Sequence, residues 1–128
     1  MRAAARPWRR KLGAQSRSGG RRAEWIALIW LMLKGWRILG FRLKTPQAEI
    51  DILALRGRIL AVVEVKSRAS LEAALEAVGP DQRERLRRAG RTLAARRADL
   101  SGKAVRLDLV ALAPGRRPRH LADAWPEA

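Results

Sequence analysis

Cysteine is absent from this chain, which excludes a disulfide framework, a thiolate zinc site and a cysteine nucleophile. Histidine occurs once, as His120, in a polar stretch beside Pro118 and Arg119. One imidazole with no carboxylate or second histidine next to it in sequence is a poor metal site. Long apolar runs are missing as well. The most hydrophobic stretch, Trp25 to Leu33, stops at Lys34 and Gly35, whereas a membrane span needs roughly 20 apolar residues. No small-x-small cleavage pattern follows it, so no membrane partner is expected and a cytoplasmic location is. There is no internal repeat and no heptad pattern.

Acidic residues are scarce too. The 128 residues carry 12 Asp and Glu against 28 Lys and Arg, for a formal net charge of +16, and the pI is near 11.9. Such a balance is the electrostatic footprint of a protein that meets an anionic polymer. Nucleic acid is the natural partner. A soluble, Arg-rich protein without such a partner has the same composition, so charge alone does not settle function. The length suits one domain with a modest core.

Residues 1–20 hold basic side chains, no acid and a Ser18-Gly19-Gly20 end, and read as a disordered cationic arm. Arg22 to about Lys34 favours a helix, apolar around most of its circumference and therefore largely buried, ended by Gly35. Trp36 to Leu43 reads as a strand, followed by a turn at Thr45-Pro46. Glu49–Leu55 and Ile59–Lys66 are runs of Ile, Val and Leu around Arg56-Gly57-Arg58, the signature of a hairpin. Leu71–Val78 can form a short helix. Beyond Gly79-Pro80, Asp81 and Glu84 have capping-box spacing for a long helix to about Ala98, with Leu86, Ala89, Gly90 and Leu93 on its packed face. Arg83, Arg87 and Arg91 recur every four residues and share another face. Lys103–Leu112 alternates as a last strand, and the Pro- and Arg-rich tail, 114–128, reads as loosely held. The expected architecture is a single α/β domain over residues 21–113, in the order helix, three strands, helix, strand, with a mixed central sheet. A right-handed crossover would set the last strand parallel to its neighbour.

Chemistry concentrates in the hairpin. Side chains alternate across a strand, so Glu64 and Lys66 share one face. A two-residue loop at Arg56-Gly57 would pair Leu55 with Arg58, Asp51 with Val62 and Glu49 with Glu64. Asp51 then lies diagonally from Glu64 on the same face, about 7–8 Å away, a span two carboxylates bridge through one hard cation with ligands near 2.1 Å. Mg2+ or Mn2+ would take Asp51, Glu64 and the Val65 carbonyl, with Lys66 stabilising charge on a phosphate. Glu24, the one acid of the first helix, could complete the coordination or orient water. Acid and base on a strand also form ordinary solvated pairs, and an E-x-K triplet is common by chance. The apolar context of Asp51 and Glu64 argues for a partner or a cation, because charge in such a strand is costly alone.

Taken together, Gly20 with Glu24, Lys34-Gly35-Trp36-Arg37-Ile38-Leu39, Thr45-Pro46, Glu49-Ile50-Asp51, Val63-Glu64-Val65-Lys66-Ser67-Arg68 and Arg106-Leu107-Asp108-Leu109-Val110 resemble the YraN-like (UPF0102) family of small bacterial proteins. That family is similar in pattern to the PD-(D/E)xK nuclease superfamily of restriction enzymes and Holliday-junction resolvases. The resemblance, from about residue 20 to 112, implies a restriction-endonuclease-like fold and metal-dependent endonuclease activity on DNA, branched or damaged DNA included. It maps metal binding to Asp51 and Glu64, catalytic support to Lys66 and an accessory role to Glu24. The chain departs from the pattern at Ala48, where glycine is usual, at Ala23, and at Gln82, near which a basic residue is usual. Arg68, Arg83, Arg87 and Arg91 are the candidate nucleic-acid-binding residues. Two other readings stay open: a non-catalytic nucleic-acid-binding module using the arginine face and the basic arm, and a protein-interaction role for the Trp25 and Trp30 helix, for which a homodimer would also suit a nuclease that cuts two strands.

Overall fold

The computed structural model describes residues 6–127, with side chains from Gly20 onward. Its elements are α1 (Arg6–Leu33), β1 (Arg37–Lys44), β2 (Glu49–Arg56), β3 (Ile59–Ser67), α2 (Leu71–Glu76), α3 (Pro80–Arg96), a 3-10 turn (Ala98–Leu100), β4 (Ala104–Leu112) and β5 (Arg119–Leu121). The strands form one sheet in the order β1-β2-β3-β4-β5. All neighbours are antiparallel except β3 and β4, which are parallel. A parallel pair needs a crossover, and α2 with α3 supplies it. The fold is thus the expected α/β domain with a mixed sheet, with one more strand than the sequence suggested.

The sheet is covered on both faces. On one side Leu53, Leu60, Val62, Leu107 and Leu109 pack with Leu86 and Ala89 of α3. On the other, Ile52, Ala54, Ala61, Val63 and Val110 pack with Ala23, Ala27, Leu28 and Leu31 of α1. Burial on both faces explains why β2 and β3 read as nearly continuous apolar runs. Gly90 lets α3 approach closely: a Cβ there would stand 2.6 Å from Val62 Cγ2 and 2.8 Å from Val105 Cγ1. Pro80 sits in the first turn of α3, where its missing N–H is harmless. Gly79 is the N-cap and no side chain caps it, so the capping box anticipated at Asp81 and Glu84 does not form.

Four further expectations are corrected. The hairpin loop is Gly57-Arg58, not Arg56-Gly57, and Leu55 pairs with Leu60, Leu53 with Val62. Gly57 takes φ +59 as the first central loop residue, the position where a two-residue turn with one positive φ requires glycine. The register therefore shifts by two residues, an even shift that leaves the paired side chains of Ile52 to Arg56 on their expected faces. Second, the α1 backbone extends back to Arg6, before the anticipated start at Arg22, through residues that mostly favour helix. The cationic arm expected over 1–20 falls partly on residues 1–5, outside the described residues. Third, among the α1 residues whose side chains are described, only one stripe is buried. Trp25, Ile29, Met32 and Leu33 are 51%, 53%, 57% and 78% exposed, because α1 meets the sheet on one side and nothing among the described residues covers the other.

The fourth correction concerns the C-terminal segment, which is packed rather than loose. β5 pairs with β4, Trp125 is buried in the α3-side core, and its indole N–H donates to the Leu75 carbonyl at 3.1 Å. The domain accordingly runs well past residue 113. No helix among the described residues is long and apolar enough to cross a membrane.

Candidate active site

The β2–β3 ladder ends at Ile52 paired with Val63, and the next two residues are Asp51 and Glu64. They stand directly opposite each other, not diagonally as the shorter register implied. Side chains take over here from the ladder. The Val65 backbone N–H donates to Asp51 Oδ2 at 2.8 Å, and the Asp51 backbone N–H donates to Glu64 Oε2 at 3.4 Å. Each carboxylate is thus held by the other strand's backbone. Glu64 has the parity of Val62, on the α3 side of the sheet, whereas strict alternation in β2 breaks at Asp51: Ile50 packs in the α3-side cluster and Ile52 in the α1-side one. Gln82, from the first turn of α3, completes the enclosure, its side-chain amide donating to Glu64 Oε1 at 3.4 Å.

Both carboxyls resist ionisation. Burial is the main cause at each. It pushes Asp51 up to about 6, against the lowering effect of the Val65 N–H, with Glu24 adding repulsion. It pushes Glu64 up to about 8, with Asp51 the next contributor. The two titrate as a pair. Lys66 opposes the rise at both, which sets its ammonium within electrostatic reach. Glu64 is 2% exposed, and no basic side chain lies within ion-pair distance of it or of Asp51 among the described residues.

Glu24 is close enough to repel both acids, but it is engaged by Arg42, whose Nε donates to Glu24 Oε1 at 2.6 Å. Arg42 falls between the pairs Phe41–Ile52 and Leu43–Ile50, hence opposite Asp51. Its φ is +52, a conformation rare for a non-glycine residue and often found near functional sites. No local sequence signal distinguishes Arg42. In sequence, Gln82 stands out only as a departure from the family pattern, near a position where a basic residue is usual. Glu49 is exposed at the start of β2 and adds a small repulsion to Asp51.

Among the described residues no group of three or more carboxylate or imidazole side chains converges as a metal cage. The pair Asp51 and Glu64 nonetheless fits a hard divalent cation. Their mutual repulsion and burial leave a charge deficit that such an ion relieves, and Mg2+ commonly uses one or two carboxylates, keeping waters elsewhere. Both Asp51 and Glu64 have an oxygen with no hydrogen bond to α3 or to the opposite backbone, or one held at only 3.4 Å.

The candidate nucleic-acid-binding arginines divide. Arg83 donates from Nε to the Val78 carbonyl at 2.8 Å and stacks over the Trp125 ring at 5.4 Å. Arg87 donates to the Trp125 carbonyl. Arg91 pairs with Glu127 at 2.6 Å. That arginine face therefore holds the C-terminal segment. Arg68, just beyond β3, is exposed; its Nη1 donates to the neighbouring Ser67 carbonyl at 2.8 Å.

Asp108 is a second buried acid with the opposite solution. Arg106 donates to it through two nitrogens at 2.8 and 3.0 Å, His120 Nε2 lies at 2.8 Å, and the Asp123 N–H donates at 2.9 Å. Burial alone would raise its carboxyl, but the bonds from His120, Arg106 and Asp123 prevail and hold it below the usual range. His120, without an acid beside it in sequence, acquires one through the fold. Asp108 is a structural anchor for the C-terminal segment.

Comparison with known proteins places this architecture in a family. The model of "Uncharacterised protein family UPF0102" matches residues 23–112. A "UPF0102 protein" of Caulobacter sp. is 69% identical over 114 residues, covering 89% of this chain and 82% of that protein. One from Caulobacter vibrioides is 65% identical over 117 residues, covering 91% and 94%. One from Parvibaculum lavamentivorans is 51% identical over 106 residues, covering 83% and 80%.

Proposed function

We propose, from the premise that the chain belongs to the UPF0102 family, that it is a metal-dependent nuclease that hydrolyses phosphodiester bonds in DNA, branched or damaged DNA included. The observation that carries this reading is the facing pair of half-buried Asp51 and buried Glu64 at the end of the β2–β3 ladder, with Lys66 two residues on. In this reading Asp51, Glu64 and the Val65 carbonyl would hold Mg2+ or Mn2+. The bound ion supplies Lewis-acid stabilisation of phosphate charge and a lowered pKa for attacking water. The protein's own groups set the geometry. The Val65 N–H and the Gln82 amide fix the two carboxylates in orientation, while Lys66 offsets negative charge that accumulates on the phosphate. Arg42 fixes Glu24 beside the pair, where its second oxygen can accept a proton or hydrogen bond from water.

The basic charge supports an anionic polymer substrate but discriminates poorly between catalysis and mere binding. A non-catalytic module built on the α3 arginines is less favoured, because Arg83, Arg87 and Arg91 are engaged with the C-terminal segment. The test is cleavage of linear, flapped and four-way DNA with Mg2+ or Mn2+, with Asp51→Ala and Glu64→Ala as controls that also exclude a contaminant. Each substitution should lower the rate at least about 100-fold, the scale of losing a principal electrostatic group. Variants that cut as well as the parent, or calorimetry with no divalent-cation binding, refute the reading. A homodimer that brings two such sites to two strands is a further part of the proposal, and the exposed apolar stripe of α1 is the surface it would use.

A further inference from the structure

The carboxyl ends of the parallel strands β3 and β4 open into a second feature, a cavity of about 220 Å³. Arg68, Ser70, Arg116, Arg117, Arg119 and Glu72 line it, and the end of β4 forms its floor. Four guanidinium groups face one carboxylate. None of the four arginines forms an ion pair among the described residues, and all four are exposed. This contrasts with Arg83, Arg87 and Arg91, which the fold spends on its own C-terminal segment. The cavity is also close to the acidic pair. Lys66 pairs with Ala111 and Ser67 with Leu112, both of which line the cavity, and Arg68, two residues beyond Lys66, lies about 7 Å from it at the rise of a strand. In open α/β sheets the crevice outside the carboxyl ends of parallel strands is the usual ligand position.

We infer that this cavity is a phosphate-binding subsite, which takes a phosphate of the nucleic-acid chain flanking the one that is cleaved. The inference rests on the nuclease reading for its position in a reaction, but its ligand chemistry stands on the arginines. Arginine forks match phosphate oxygens in a bidentate manner, better than lysine does. The volume lies below the roughly 300–1,000 Å³ of small-molecule pockets, so it suits one phosphate with part of its sugar and not a whole free nucleotide. Occupied, it fixes where along the strand the scissile phosphate meets Asp51, Glu64 and Lys66, and it makes the chain a reader of backbone position without base specificity.

The experiment compares Arg116→Gln/Arg117→Gln with Arg85→Gln/Arg96→Gln, a pair of exposed arginines on α3 that removes the same charge elsewhere. Thermal unfolding first establishes that both variants are folded. Fluorescence anisotropy with a labelled single-stranded oligonucleotide is run in chelator, over several salt concentrations, so that it needs neither catalysis nor metal. The cavity variant should lose about 1.4 from the slope of log K against log salt, roughly 0.7 for each of two contacts to a single strand, and about tenfold in affinity per lost contact near 50 mM salt. The α3 pair should lose distinctly less. Equal losses in the two variants overturn the subsite, because general charge would then explain them, and so does no loss in either. Inorganic phosphate is titrated in parallel by NMR. If it shifts the cavity residues while the oligonucleotide binds all variants alike, the nucleic-acid assignment is overturned in favour of a free anion. Where cleavage is observed, KM should rise in the cavity variant with kcat nearly unchanged. If no DNA is cut but the cavity variant still binds selectively more weakly, the subsite stands and the nuclease reading falls.

Discussion

Glu64→Gln in the metal-free protein should change how stability depends on pH. The Glu64 carboxyl moves from an ordinary 4.5 to about 8 in the fold, chiefly through burial and secondly through Asp51. The folded protein therefore binds this proton more tightly than the unfolded chain does. Stability is complete below about pH 4.5 and falls as pH rises through about 8, the reverse of the usual paired carboxylate. At roughly 1.4 kcal/mol per pH unit, full ionisation costs on the order of 5 kcal/mol, part of it shared with Asp51, whose own carboxyl rises to about 6. Glutamine has the same shape and no charge to desolvate.

The assay is thermal or urea unfolding of parent and Glu64→Gln between pH 5 and 9 in chelator. The difference between the two curves matters, since it cancels the general relief of cationic repulsion as pH rises. Near pH 5 the two should agree within about 1 kcal/mol, the scale of one exchanged hydrogen bond. At pH 9 the variant should be the more stable by several kcal/mol, a gap of about 10–20 °C in Tm for a domain of this size. Added Mg2+ should close the gap by stabilising the parent alone, through preferential binding to the folded state. Parallel curves in chelator refute the reasoning. They would mean that Glu64 ionises at no cost and that the pair has no need of a cation.

Gly90→Ala should lower stability by about 1–2 kcal/mol, because overpacking against Val62 and Val105 exceeds the ~1 kcal/mol gained in helix propensity; an unchanged urea midpoint would show that the helix can shift freely. Trp125→Ala should cost about 3–5 kcal/mol by calorimetry, as for a core aromatic, whereas a loosely held tail would register almost nothing. Ile29→Glu/Leu33→Glu, on the exposed stripe of α1, should weaken self-association at least about tenfold by sedimentation if that face pairs two copies; a parent that stays monomeric at all concentrations refutes the pairing.

Local pattern carried much of this molecule. Strand alternation set Asp51, Glu64 and Lys66 on one face; the two-residue shift in register is even and keeps Ile52 to Arg56 facing as expected, but Ile50 and Ile52 pack on opposite sides of the sheet, so alternation does not carry through Asp51. Helical spacing likewise identified Leu86, Ala89 and Gly90 as the packed face of α3. What escaped the sequence depends on contacts distant along the chain. The position of Gly57 within its turn decides the register, and both placements of a two-residue loop satisfy the hydrophobic pattern. Arg83, Arg87 and Arg91 do share a face, but only the return of Trp125 and Glu127 reveals that the face is covered. His120 meets Asp108 across 12 residues, and Arg42 meets Glu24 across 18; neither pair has a sequence signature.

The two buried acids give an internal control on what the Glu64 site is for. The chain has 28 Lys and Arg residues and one His to draw on, and for Asp108 it does so: Arg106 and His120 surround the carboxylate and hold it ionised. For Glu64 it does not. That carboxyl is just as buried, faces another acid at Asp51, and receives only neutral amide donors, from Gln82 and a backbone N–H. A fold so rich in guanidinium groups could have supplied one at little expense, and a buried acid left beside a second acid is a standing loss of stability. Such a loss is understandable when the compensating charge comes from solution and must remain exchangeable and open to substrate oxygens, which an arginine locked into the pair would prevent. The same logic predicts the outcome of Gln82→Arg. An internal guanidinium beside Glu64 should raise metal-free stability at pH 8 while weakening Mg2+ binding and DNA cleavage together, and a variant that gains stability with undiminished cation affinity would defeat it.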